Sequence, residues 1–275
     1  MYERSYASGT SDMPLLGLTI GEKFDAIARE FSENEALVVK HQNIKWTYKE
    51  LALKVNECAL ALLACGLNKG DRVGIWSPNC SEWTILQFAT AKAGIILVNI
   101  NPSYRKHELQ YALVQSGCKM LVLADKFKTS DYSKMILETC PELKEAEFGH
   151  LQSKILPELS FVISLSNEPK KGLTSWSHFC NLSNNIDAEE LVMRQNTLAF
   201  DDPINIQYTS GTTGYPKGAT LSHHNILNNG FFVTRTMNFT SEDRLIIPVP
   251  LYHCFGMVMG NLGCMAHGAT MIYPD

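Results

Sequence analysis

Short apolar runs alternate along this chain with longer segments in which apolar positions recur at helical spacing, the signatures of strand and helix. Residues 35–40 and 43–46 read as two short strands around His41-Gln42. Thr47-Tyr48-Lys49-Glu50 then forms a capping box that opens an Ala- and Leu-rich helix ending at Gly66. A Gly70-Asp71 turn leads into a strand over 72–76, a helix from Ser81, a strand over 95–98, a helix near 104–116 and a strand over 119–123. Strands that are apolar without polar alternation belong to a sheet covered on both faces, and a strand–helix–strand rhythm makes that sheet parallel. The expected fold class is α/β, doubly wound, with parallel sheets flanked by helices.

The stretch from Thr129 through Asp201 is polar and punctuated by proline, with a buried strand over 161–165 as its clearest element. From Pro203 the rhythm returns: a strand over 204–208, a glycine-rich turn, a helix from Ser222, a strand over 244–249, an apolar helix near 255–265 and a strand over 270–273. The organisation expected is an extension over 1–20, a first α/β subdomain over 21–200, and over 201–275 the start of a second. A chain that stops directly after a strand points to a cut within a larger fold.

Composition narrows the classes. With 45% hydrophobic and 19% charged residues the 275-residue chain is ordinary for a globular protein. A net charge of -4 and a pI near 6.1 provide no basic field for nucleic acid or acidic membranes. The eight cysteines (58, 65, 80, 118, 140, 180, 254 and 264) include no C-x-x-C pair and read as reduced core thiols. Sequons at Asn79, Asn181 and Asn238 read as chance matches. No apolar run reaches the ~18 residues of a transmembrane helix, so a soluble protein is expected. Residues 1–21 lack the apolar core of a secretory signal and the Arg-rich pattern of a transit peptide.

The chemistry concentrates in one loop, Tyr208-Thr209-Ser210-Gly211-Thr212-Thr213-Gly214-Tyr215-Pro216-Lys217-Gly218. Gly211, Gly214 and Gly218 remove the Cβ atoms that would hold backbone amides away from an anion. Thr209, Ser210, Thr212 and Thr213 add hydroxyl donors, and Lys217 adds a full charge. The loop is not a Walker A motif, because Lys217 follows Pro216 and precedes Gly218, nor is it a dinucleotide G-x-G-x-x-G.

The segment TSGTTGYPK over 209–217, with GATLSHHNILNN after it, closely resembles the phosphate-binding signature of the adenylate-forming superfamily. The longer run from Asp202 resembles most the medium-chain acyl-CoA ligase branch known from mitochondria. GLNKGDRVGIWSPNCSEW over 66–83, AGIILVNINPSY over 93–104 and PLYHCFG over 250–256 extend the resemblance from about Gly21 onward.

That resemblance implies the N-terminal part of an enzyme that activates a carboxylate with ATP and Mg²⁺, then passes it to coenzyme A. Residues 209–217 would bind nucleotide phosphates, and Lys217 and His253 would be catalytic, His253 bordering the acyl pocket. Fatty acid, ATP and coenzyme A would be the partners, and the mitochondrial matrix the setting, with the cytoplasm as the alternative.

From the residues alone, a histidine beside apolar residues is usually structural, and Phe255, Met257 and Met259 suit either a core or an alkyl pocket. His223 and His224, adjacent on a helix, point in different directions and are assigned to capping and packing, not to a metal. The family's downstream adenine, ribose and hinge motifs do not occur before Asp275. A fatty acyl-CoA ligase, another adenylate-former such as an aryl-CoA ligase or amino-acid adenylation domain, and a non-catalytic fragment all remain open.

Overall fold

The structure, a computed structural model, describes residues 12–166, 170–209 and 216–274. Helix α1 (Ile20–Glu30) precedes β1 (Glu35–Val39), β2 (Ile44–Thr47) and α2 (Tyr48–Ala64). Then come β3 (Arg72–Trp76), α3 (Ser81–Ala93), β4 (Ile96–Asn99), α4 (Lys106–Ser116) and β5 (Met120–Leu123). A small hairpin of β6 (Lys126–Phe127) and β7 (Ser130–Asp131) leads to α5 (Tyr132–Thr139), β8 (Phe161–Ser164), β9 (Thr174–Ser175), α6 (Trp176–Asn181) and α7 (Ala188–Gln195). The order closes with β10 (Pro203–Thr209), β11 (Lys217–Ser222), α8 (His223–Thr236), β12 (Arg244–Ile246), a π-helix (Phe255–Leu262), α9 (Gly263–His267) and β13 (Thr270–Tyr273).

A seven-stranded sheet runs β11-β10-β4-β3-β5-β8-β9, parallel except at β10/β11. A four-stranded sheet runs β12-β13-β1-β2, parallel except at β1/β2. Both sheets draw strands from either side of residue 200. β10 pairs with β4 in one, and β1 pairs with β13 in the other, so residues 21–200 and 201–275 are interleaved.

Local chemistry explains the helix starts. Thr19 with Glu22, Thr47 with Glu50, and Ser222 with Asn225 close reciprocal capping boxes, each satisfying two orphan amide donors. Helix α3 is the core element, with twelve of its thirteen residues buried. It packs on α1, α2 and β4, and Thr84 hydrogen-bonds Tyr273 of β13. Its one buried cation, Lys92, donates to Asp25 Oδ1 at 2.5 Å and Asn56 Oδ1 at 2.7 Å. Burial lowers its pKa, and the Asp25 bond opposes that shift.

Two expectations are corrected. The glycine-rich loop does not run directly into a helix: Lys217 opens β11, which pairs antiparallel with β10 and makes the loop the tip of a hairpin. The apolar helix near 255–265 begins as a π-helix and turns α-helical only at Gly263. Among the described residues between 129 and 201 the chain forms three short α-helices and two 3₁₀ turns that its polar pattern does not disclose.

Candidate functional site

The hairpin base is defined by Thr209 facing Lys217 across the β10/β11 ladder. Thr209 Oγ1 lies 3.4 Å from the Lys217 carbonyl oxygen, and both residues are exposed. The Pro216 carbonyl accepts from Tyr111 Oη at 3.2 Å, which ties the returning arm to α4. Ser210, Gly211, Thr212, Thr213, Gly214 and Tyr215 lie outside the described residues. Lys217 thus stands at the mouth of the hairpin, on a strand whose first four residues are exposed.

His253 lies on a loop anchored at three points. Asn79, from the β3–α3 turn, donates through Nδ2 to the Val249 carbonyl at 2.9 Å and accepts from the Leu251 amide at 2.8 Å. Gln207 of β10 donates through Nε2 to the Tyr252 carbonyl. The loop then turns back on itself, the His253 amide reaching the Pro250 carbonyl at 3.1 Å. His253 is exposed, and its Nδ1 accepts from the Phe255 amide at 3.1 Å. In the neutral ring the proton therefore sits on Nε2, which makes that nitrogen a hydrogen-bond donor.

Behind Gln207 are two more amides. Its Oε1 accepts from Asn99 Nδ2 at 3.0 Å, and Asn99 Oδ1 accepts from Asn205 Nδ2 at 3.0 Å. All three side chains are buried, in strands whose other buried residues are Ile, Leu, Val and Tyr. Sequence reading passed over them, although the polar alternation within INIQYT, in a strand expected to be apolar, was a usable signal. Tyr104 also stands near this loop. Burial raises its pKa, helped by Glu108, Tyr252 and Tyr111.

Beside the loop is an apolar cavity of about 240 Å³ between α8 and the π-helix, lined by Val233, Thr234, Met237, Val249, Phe255 and Met259 among others. A wider recess of about 520 Å³ shares Ile247 and Pro248 with it, and includes Asn79, Asn101 and Tyr252. His223 and His224 play the roles expected of them. The Ile20 amide donates to His223 Nδ1 at 3.1 Å, joining α8 to α1, and His224 lies against Phe200. All eight cysteines are free thiols, six of them buried. Burial pushes Cys80, Cys118 and Cys264 up to about 12, too high for a nucleophile at neutral pH. Among the described residues no group of three or more His, Cys, Asp or Glu side chains is placed to hold a metal ion.

A family described as AMP-binding enzyme matches residues 24–275. The chain belongs to that family. Over 272 residues it is 44% identical to the medium-chain acyl-CoA ligase ACSF2, mitochondrial, of Mus musculus, and 43% identical to that of Homo sapiens. Those alignments cover 98% of this chain and 44% of the relatives, so the chain spans less than half their length. Among solved structures, the inhibitor-bound N-terminal domain of FACL13 from Mycobacterium tuberculosis has a TM-score of 0.74 at 23% identity, over 94% of this chain and 57% of that one. The anthranilate CoA ligase AuaEII, in complex with anthranoyl-AMP, also has a TM-score of 0.74, at 20% identity over 95% of this chain and 45% of that one. These likenesses show the fold: α/β, with parallel sheets flanked by helices.

Proposed function

We propose that this chain supplies the phosphate-binding hairpin and the acyl-side loop of an enzyme that activates a medium-chain fatty acid with ATP and transfers it to coenzyme A. The observation that carries this reading is the direct tie between the two sites. Strand β10, which leads into the hairpin, hydrogen-bonds the loop that presents His253 next to an apolar cavity.

In the first step a carboxylate oxygen attacks the α-phosphorus, the bond to the β-phosphate bridging oxygen breaks, and pyrophosphate leaves with the electron pair. In the second the coenzyme A thiolate attacks the acyl carbon and AMP departs as the thioester forms, the thiol proton going to solvent. Catalysis of this kind is mainly charge placement. Thr209, Ser210, Gly211, Thr212, Thr213, Gly214, Tyr215, Pro216 and Lys217 would hold the β- and γ-phosphates, and Lys217 would offset charge growing on pyrophosphate. His253 would donate from Nε2 to the carboxylate end of the acid. Mg²⁺ entering with ATP would be held mainly by phosphate oxygens and water, and would add positive charge beside the phosphates.

A cavity of about 240 Å³ is below the roughly 300–1,000 Å³ usual for drug-sized ligands and suits a slender alkyl chain. The names of the relatives support a medium-chain acid and a mitochondrial setting. Calorimetric titration of the purified chain with tripolyphosphate, MgATP and octanoate tests the binding half. Saturable binding of the phosphates and of octanoate is expected, and absence of both overturns the reading.

The chain's span of the relatives favours a second reading for these 275 residues alone, in which they hold ligand without turning it over. Octanoate-dependent ATP–pyrophosphate exchange separates the two. Little or no exchange is expected of the isolated chain, and robust exchange excludes the second reading.

A further inference from the structure

A buried polar group in a sheet is costly unless its hydrogen bonds are made, so three amides in adjacent central strands call for a reason. Asn99, Asn205 and Gln207 are 0%, 2% and 6% exposed. Their partners allow one orientation. Gln207 faces the Tyr252 carbonyl and must present its NH₂ there, which turns its oxygen to Asn99 Nδ2. Asn99 then offers its oxygen to Asn205, whose Nδ2 also donates to the Leu97 carbonyl at 2.9 Å. The chain starts within the β4/β10 ladder and its outer end closes on the residue before His253. Thr209, where the hairpin begins, lies two residues beyond Gln207 on the same strand and therefore on the same face.

We propose that Gln207, held by Asn99 and Asn205, is a positioning residue that fixes the His253 loop at a set separation from the phosphate hairpin. The proposal rests on the fatty-acid activation reading: the acyl and phosphate ends of one reacting species must meet between these two elements. Small errors of placement are expensive in such a site. Asn79 holds the same loop through Val249 and Leu251, so loss of Gln207 frees Tyr252 and His253 without releasing the whole loop.

The test compares the chain with Gln207→Met, which keeps length and volume but removes the donor. Three probes are titrated: tripolyphosphate for the hairpin, octanoate for the apolar cavity, and the acyl-adenylate mimic 5′-O-(N-octanoylsulfamoyl)adenosine, which spans from that cavity to the place of the α-phosphate between the two elements. At least a tenfold loss for the spanning mimic is expected, with the two half-site probes changed less than twofold. Equal loss for all three, or no loss for any, overturns the proposal. Should the unmodified chain bind none of them, it is the functional reading that has failed.

The positioning role is then judged without ligand from the ¹⁵N resonances of the His253 ring. In Gln207→Met the preference for the Nε2-protonated tautomer is expected to weaken, while the buried His223 ring keeps its shifts. An unchanged His253 ring in that variant overturns the proposal whatever the ligands do.

Discussion

At the scale of single residues, Lys217 offers a clean separation of binding from folding. It is exposed, it opens an edge strand, and nothing in the core depends on it. Truncation there should move stability by no more than about 0.5 kcal/mol. A charge-assisted hydrogen bond to a phosphate oxygen is worth roughly 1.5–3 kcal/mol, or about ten- to a hundredfold in affinity. Lys217→Ala is therefore expected to weaken tripolyphosphate and MgATP binding by that factor and to leave octanoate binding within twofold, as read by calorimetry. Equal losses would assign the effect to misfolding. Lys217 stands out as a candidate in the sequence because glycines, hydroxyls and a lysine crowded into nine residues have few uses besides an anion. Gln207 does not, since a buried amide acquires meaning only from partners such as Asn99 and Tyr252, one in another strand and the other 45 residues away.

Elements were legible where their ends carry their own chemistry. The Thr47–Glu50 box, Gly66 after α2, and the apolar runs of β3, β4 and β5 mark those units in the sequence. β11 escaped because its KGATLS segment is mostly exposed and becomes a strand only by pairing with β10. The wide turn of the π-helix was hidden as well, because apolar spacing cannot tell it from an α-helix over so short a run.

Its glycine partners reveal the packing. A Cβ on Gly230 of α8 would meet the Val258 carbonyl oxygen at 2.9 Å, and one on Gly256 would meet the Pro250 carbonyl oxygen at 2.6 Å. Both obstacles are backbone atoms, which cannot rotate aside. Gly230→Ala is expected to lose about 1–3 kcal/mol by overpacking, despite the better helix propensity of alanine, which opposes it by at most about 1 kcal/mol. Denaturant unfolding monitored by circular dichroism checks this, and an unchanged midpoint would show that the two helices slide apart freely.

At the scale of the whole molecule, the two sheets draw strands from both sides of residue 200 and share the larger core around α3, while a second core lies between the seven-stranded sheet and α4 and α5. His223 is a second long-range tie. It is fully buried, joins the start of α8 to the start of α1, and among the described residues its Nε2 has no hydrogen-bond partner. Burial lowers its pKa from 6.5 to about 4, with Asp202 and Glu22 opposing that shift and Lys69 adding to it. The unfolded chain therefore binds a proton on this ring below pH 6.5, while the folded chain stays neutral until about pH 4. The stability His223 contributes is complete above pH 6.5 and is lost as pH falls through that window. The full loss is on the order of 3 kcal/mol, about 2 of it by pH 5. Carboxylates titrate over part of the same range, so the decisive quantity is a difference. His223→Gln keeps an oxygen that can accept from the Ile20 amide but has no proton to gain. Urea midpoints measured between pH 7 and pH 4.5 should fall more steeply for the unaltered chain than for this variant, and parallel curves would show that the ring is already protonated, or solvated, in the folded protein.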